Sequence, residues 1–215
     1  MGWSQQHQVS IAPEGNVFES FSIGTSATAS LPLGWKADKN ATVRTLGTYS
    51  AAVYNTEQMA GNNMSGTAQN GIYNFASGDP TIATERAIGG ISSSSGSNSV
   101  NIYVKLRNNG SGSITSLILS YDVEKYRMGT NSAGFSIQMY YSTDGSTWTS
   151  AGGDFLTSFA GADPSNNGFA SAPGATQSVS NKTLSVPIAA SSYLYLAWNY
   201  SVTSGTISTN ARHWE

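Results

Sequence analysis

The stretch "SVNIYVKLRNNG", residues 99–110, alternates apolar and polar side chains without interruption. A period of two is that of a β-strand that buries one face. The apolar face carries Val100, Ile102, Val104 and Leu106. The other face carries Asn101, Tyr103, Lys105 and Arg107. Burial in a core explains the aliphatic row, but it does not explain the tyrosine and the two cations of the polar row.

The composition indicates an all-β extracellular domain. The chain has 215 residues, of which 39% are hydrophobic, 11% are aromatic and only 10% are charged. This length suits one large domain with a substantial core. The aromatic content and a net charge of −2 argue against disorder. Uncharged polar residues between many glycine turns favour short strands.

Charge and cysteine content exclude several functional classes. No basic run or stripe is present that could neutralise phosphates, which argues against nucleic acid as a partner. No apolar stretch is long enough for membrane insertion, and the first ten residues do not read as a signal peptide. The absence of cysteine rules out disulfides and thiolate zinc sites. Low charge with many Ser, Thr and Asn residues favours a secreted or cell-surface location.

Turn signals divide the chain into about nine strands, the number expected for a sandwich. The first is predicted at residues 16–24, and residues 34–47 are predicted as a loop that enters a short strand. Further strands are predicted at 71–77, 86–93, 114–128, 182–190 and 193–205. Residues 134–152 form a predicted hairpin with Asp144-Gly145 at its tip. We therefore expect a two-sheet antiparallel β-sandwich in a single domain.

Several motifs resemble those of a known type of module. They are "GWKADKN", "NGIYNF", "RAIGGISS", "GFSIQMYYSTDGSTWTSAG", "NKTLSVPI" and "YLYLAWNYSVTSG". They are similar to jelly-roll-like modules of large secreted multidomain bacterial proteins, of the kind found on Bacteroidetes cell surfaces. The resemblance covers residues 17–208, with 1–16 as an N-terminal extension and 209–215 as an atypical tail. It implies a jelly-roll-like sandwich, and by fold analogy carbohydrate binding and a structural Ca²⁺.

The C-terminal residues "TNARHWE" depart from that resemblance, because such modules end in a further strand with a "GIDDV"-like motif. A missing strand would leave a sheet edge open to edge-strand self-association. The N-terminal segment "WSQQHQVSIA" is an alternative cover for that edge. A fragment of a longer protein is a second explanation of the ending.

The polar rows of four strands predict a sugar-binding surface if the strands share one sheet. Aromatic rings stack on the C–H face of a sugar ring, and amides, carboxylates and guanidinium groups bind adjacent hydroxyls. Ordinary exposed strand surface is the alternative interpretation. The candidate ligand-binding residues are Tyr103, Arg107, Asp122, Glu124, Tyr126, Gln138, Tyr140 and Asn199. Trp35 and Trp148 are candidate rim platforms, whereas Trp198 lies on the apolar face and is assigned to the core.

No arrangement in the sequence predicts catalysis. Asp122 and Glu124 share a face at a separation of roughly 6 to 7 Å, which is compatible with a glycosidase pair. The usual glutamate signatures of jelly-roll hydrolases are absent, and we expect these carboxylates to pair with Lys105 and Arg107 on an adjacent strand. The two histidines lie near the termini, and no G-x-S-x-G motif is present.

One segment is similar to the start of a calcium loop. The sequence "DPSNNG" places Asp163, Ser165 and Asn167 at alternate positions before a glycine. Gly174 occupies the position of the closing glutamate and offers no side chain. Calcium bound through backbone carbonyls with Asp38 or Asp79 stays open as an alternative.

These observations favour a non-catalytic module that binds a polysaccharide or oligosaccharide on its polar face. A structural or adhesive spacer without a ligand is the first alternative. A polysaccharide-degrading enzyme is the second.

Overall fold

The alternating stretch 99–108 forms the central strand of a seven-stranded sheet. The structure is a computed structural model, which describes residues 8–57, 70–76, 79, 81–92, 96–126, 134–160 and 175–202. The described strands are β1 Val9–Ile11, β2 Trp35–Asn40, β3 Gly71–Ala76, β4 Arg86–Ile91, β5 Ser99–Asn108, β6 Leu117–Lys125, β7 Phe135–Ser142, β8 Thr149–Ser150, β9 Leu156–Phe159, β10 Ala175–Leu184 and β11 Tyr193–Val202.

The large sheet has β5, β11 and β7 at its centre, and β11 runs antiparallel to both β5 and β7. On one side of β5, β2 pairs antiparallel and β1 pairs parallel at residues 106–108. On the far side of β7, β8 and β9 follow one another, separated by a 3₁₀ turn at Gly153–Phe155. Part of the segment predicted as an N-terminal extension thus supplies a strand of the sheet.

The second layer consists of two antiparallel strand pairs, β6 with β10 and β3 with β4. Their apolar residues pack against the aliphatic row of the large sheet in one core, in which Val123 of β6 and Ile88 of β4 join Ile102 and Ile137. This arrangement confirms the predicted all-β sandwich. Within the described ranges, no helix has the length and hydrophobicity of a membrane span.

Three predicted strand positions are wrong. The strand predicted at 182–190 begins and ends earlier, as β10 at Ala175–Leu184. Residues 16–24 do not form a strand, because Phe21 has a φ of 49°, in the left-handed region that a strand cannot accommodate. In the stretch 34–47 the strand precedes the loop. Gly34, with a φ of 86°, turns the chain into β2, and the side chain of Asn40 accepts a hydrogen bond from the Thr42 N–H where β2 ends.

The hairpin predicted at residues 134–152 is confirmed by the pairing of β7 with β8. Asp144 Oδ1 accepts hydrogen bonds from the N–H groups of Ser146 and Thr147, both at 2.7 Å, and Gly145 adopts a φ of 72°. These hydrogen bonds lower the pKa of Asp144 from its ordinary value. The tip is therefore held by its own carboxylate.

Candidate functional site

The polar rows of β5, β11 and β7 lie side by side on the outer face of the large sheet. The register places Asn101 beside Asn199 and Asn199 beside Gln138. Two residues away on the same face, Tyr103 lies beside Ala197, and Ala197 lies beside Tyr140. Three of the four polar rows therefore meet the condition that they lie in one sheet.

The fourth predicted row lies elsewhere, because β6 belongs to the second layer and pairs with β10. Asp122 and Glu124 therefore do not pair with Lys105 and Arg107, and that expectation is wrong. Asp122 accepts a hydrogen bond from the Ser178 hydroxyl instead. Glu124 is buried and accepts a hydrogen bond from the Tyr126 hydroxyl at 2.9 Å. A strand's period of two identifies its faces but not its neighbours.

Tyr126 is buried, contrary to its predicted place on an open surface. Its ring stacks on Phe75 of β3 with centroids 5.2 Å apart, in a small cluster that includes Tyr73, Ala87 and Ile91. This cluster joins the two strand pairs of the second layer. The role of Tyr126 is accordingly in packing.

Much of the outer face of the large sheet is covered by residues 41–52, which we call the strap. Asn101, Tyr103 and Asn199 are fully buried beneath it. The strap's backbone is tied to the sheet by side chains of the polar rows: the Arg44 N–H donates to Ser201 Oγ at 2.8 Å, and the Gly47 N–H donates to Tyr103 Oη at 2.8 Å. A buried loop backbone needs such partners. The predicted exposure of this part of the surface is therefore wrong.

Arg44 anchors one end of the strap. Its guanidinium donates to the backbone oxygen of Asn199 at 2.9 Å, to Asn199 Oδ1 at 3.0 Å and to the Ser136 hydroxyl. Burial lowers the pKa of this guanidinium from its ordinary value. All three acceptors are uncharged.

Asp38 supplies a negative charge near the middle of the strap. Its carboxylate accepts hydrogen bonds from Asn101 Nδ2 at 2.6 Å and from the Tyr103 hydroxyl at 2.9 Å. Burial nevertheless raises the pKa of Asp38 above its ordinary value. Asn199 donates to Asn101 Oδ1, so two amides connect Arg44 with Asp38 in one network. These amides thus hold the strap on the sheet.

Trp148 holds the strap from the side of the β7–β8 hairpin. Its indole Nε1 donates to the Gly47 carbonyl at 2.8 Å, and its ring lies 5.2 Å from that of Tyr103. The ring is half-buried, so one part of it remains accessible at the rim. Trp148 thus combines a structural contact with the position that a rim platform requires.

Trp35 does not form an exposed platform. It begins β2, and its half-buried ring packs edge-on against Phe21 at 4.7 Å and stacks on Trp198 at 5.6 Å. Trp198 belongs to the core, as predicted. Gln138 is also engaged, since its amide donates to the backbone oxygens of Met139 and Gly152, each at 3.0 Å.

The outer face stays partly open where β5 ends and β11 begins. We call this region the basic–aromatic end, which consists of Lys105, Arg107, Tyr193 and Tyr195, all half-buried. The Nζ of Lys105 lies 4.1 Å from the ring centroid of Tyr193 and 5.9 Å from that of Tyr195. The Arg107 guanidinium carbon lies 6.0 Å from the centroid of Tyr193. Cations and aromatic rings therefore meet here with solvent access.

Of this group, only Arg107 is among the ligand-binding residues predicted from the sequence. The other three occupy the same polar rows, and the antiparallel register that places Arg107 opposite Tyr193 brings them together. That register follows from the alignment of both apolar rows toward the core. The alternation of apolar and polar residues in β5 and β11 thus indicated that these four residues share one face.

No family model matches this chain, and no curated protein matches it. The geometry of the outer face is therefore the basis for inferring a function.

The predicted calcium ligands Asp163, Ser165 and Asn167 lie outside the described residues. In the part of the chain that the structure does describe, no three His, Cys, Asp or Glu side chains converge as a metal site would require. Asp79 accepts hydrogen bonds from the N–H and hydroxyl of Thr81, at 2.9 and 2.8 Å. Asp38 is held in the network under the strap.

Proposed function

We propose that the chain is a non-catalytic carbohydrate-binding module of an exported bacterial protein, and that it binds a glycan at the basic–aromatic end. The observation that carries the proposal is the half-buried ring of Tyr193, which lies beside two cations on the outer face of a sheet. The low charge of the chain and its resemblance to secreted bacterial modules support the exported location.

The chemistry of this group suits a sugar. An aromatic ring offers a face to the C–H groups of a pyranose, and Lys and Arg donate hydrogen bonds to its hydroxyls. The side chains belong to strands that pair along nearly their whole length, so little backbone freedom would be lost on binding. Such preorganisation lowers the entropic cost of binding, so a ligand can bind through few contacts.

Two further predicted residues fit as outer contacts. Tyr140 and Trp148 are half-buried and flank the side of the strap nearest the β7–β8 hairpin. Arg107, Tyr140 and Trp148 are the earlier candidates that this proposal retains.

A structural or adhesive spacer is the second candidate, and the strap favours it. The amides, hydroxyls and charges beneath the strap bind other parts of the same chain. A face that satisfies its own polar groups needs no ligand to explain them. If the chain is a spacer, the basic–aromatic end is ordinary exposed surface that binds no ligand.

Retention of the purified chain on a panel of insoluble and immobilised polysaccharides distinguishes the two candidates. We expect retention on one class of glycan, its loss with Tyr193→Ala, and its preservation with Tyr193→Phe, which keeps the ring. Thermal denaturation should establish that both variants are folded. Absence of retention across the panel, or equal retention of the alanine variant, would favour the spacer.

A further inference from the structure

We infer that the glycan bound at the basic–aromatic end is acidic, with a carboxylate or sulfate group placed at Lys105 and Arg107. The inference rests on the proposed function and specifies its ligand class. It follows from a comparison of the four cations that the described residues place on the outer face of the large sheet.

Two of these cations are held by the protein itself. Lys36 donates to the Ser50 carbonyl at 3.0 Å and lies 4.9 Å from the ring centroid of Tyr49 in the strap. Arg44 donates to Asn199 and Ser136. Both side chains therefore have a structural role that accounts for their charge.

Lys105 and Arg107 differ in this respect. Among the described residues, neither side chain has a hydrogen-bond acceptor or an acidic partner, and the ion pairs found there join Lys39 to Glu57 and Lys182 to Asp154. Their nearest described companions are the tyrosine rings. Two like charges on adjacent positions of one strand face repel each other, and an anion would relieve that repulsion.

Arg107 is also free to turn toward a ligand. Its Nε is buried and has no hydrogen-bond partner among the described residues. Rotation of the guanidinium into solvent would therefore break none of the described hydrogen bonds and would give a buried donor an acceptor. The guanidinium can then bind a carboxylate or sulfate through two parallel hydrogen bonds.

The acidic residue Asp144 lies near this end, because a Cβ atom built on the next residue, Gly145, would lie 3.1 Å from the Tyr195 ring. Its carboxylate already accepts hydrogen bonds from Ser142, Ser146 and Thr147. Repulsion from Asp144 disfavours an anion above Tyr195. The acid group of the ligand is therefore placed on the other side, beside Arg107, with the sugar ring over Tyr193.

The test compares polygalacturonate with the same polymer after reduction of its carboxyl groups, and dextran sulfate with dextran. We expect the chain to bind an acidic polymer at least about tenfold more tightly than its neutral counterpart. The double variant K105Q/R107Q should lose that difference. The control K182Q removes a cation from the second layer, where Lys182 pairs with Asp154, and should bind as the wild type does.

The outcomes separate this inference from the proposed function. Preference for polygalacturonate identifies a carboxylate, and preference for dextran sulfate identifies a sulfate. Binding of a neutral glycan that needs Tyr193 but not Lys105 and Arg107 would overturn the acidic ligand and leave the proposed function standing. An equal loss in K182Q would reveal non-specific charge attraction and overturn the inference. If no glycan is retained, both proposals fail.

Discussion

At the scale of single residues, Asp38 couples the strap to pH. Burial opposes ionisation of this carboxyl more strongly than the hydrogen bonds from Asn101 and Tyr103 favour it, so its pKa in the folded protein lies above the ordinary 3.8. Between these two pKa values the folded protein binds a proton that the unfolded chain has released. The contribution of Asp38 to stability is therefore fully present below pH 3.8 and is lost as the pH rises through the folded-state pKa.

Asp38→Asn removes this ionisation and should change the pH dependence of stability in a defined direction. From about pH 4 upward, the free energy of unfolding of the wild type should fall relative to that of the variant. Urea denaturation of both proteins at a series of pH values measures the difference. Asp154→Asn is the control, because Asp154 forms an exposed surface pair with Lys182. Parallel curves for the wild type and Asp38→Asn would contradict the assignment.

At the scale of elements, the strap requires a glycine where it crosses Asp38. A Cβ atom built on Gly47 would overlap Asp38 Oδ2 and lie 3.5 Å from the Tyr103 hydroxyl oxygen. The Gly47 N–H and carbonyl are both hydrogen-bonded, to Tyr103 and Trp148. The strap therefore cannot retreat from the sheet without breaking these contacts.

Gly47→Ala should accordingly destabilise the protein by about 1 to 3 kcal/mol, the usual cost of overpacking. Gly112→Ala is the matched control, since a Cβ there meets nothing within 4 Å. Urea denaturation at neutral pH compares the two variants with the wild type. Equal stability of Gly47→Ala and Gly112→Ala would mean that the strap is not seated as closely as described.

Alternation predicted the inward rows of β5, β7 and β11 correctly, because a strand in a sandwich must keep its apolar period toward the core. It could not predict the strap, whose residues have no period and whose contacts span large sequence separations, as from Arg44 to Asn199. It also could not tell which sheet receives β6. The amides of Asn101 and Asn199 lie close to the small Ala197 on this face. Because an amide can bind both the N–H and the C=O group of a backbone, they were a local sign that a chain segment would cover this face, as Asn101 shows by donating to the Thr45 carbonyl.

At the scale of the whole molecule, the large sheet and both strand pairs of the second layer share one apolar core. A Cβ on Gly90 of β4 would overlap Val100 of β5, which shows how closely the two layers approach. Unfolding of either layer would expose the core residues of the other. The two layers should therefore unfold together in one cooperative transition, with a single free energy of unfolding.

Substitution of two isoleucines tests whether the two layers unfold together. Ile137 of β7 is fully buried in the shared core, whereas Ile118 of β6 is 71% exposed. Ile137→Ala should cost about 2 to 5 kcal/mol, because it removes buried methyl groups and leaves a cavity. Ile118→Ala should change stability by no more than about 0.5 kcal/mol.

Far-ultraviolet circular dichroism and tryptophan fluorescence, followed in the same urea series, measure both variants. Trp35 and Trp198 stack across β2 and β11 in the large sheet, and Tyr121 of β6 meets Trp198 edge-on at 5.7 Å. Trp35 and Trp198 therefore make the fluorescence sensitive to the contact between the layers, while circular dichroism reports all strands. Coincident transitions, displaced together by Ile137→Ala, are expected of one cooperative unit. Two transitions, of which Ile137→Ala shifts only one, would show that the second layer unfolds independently of the large sheet.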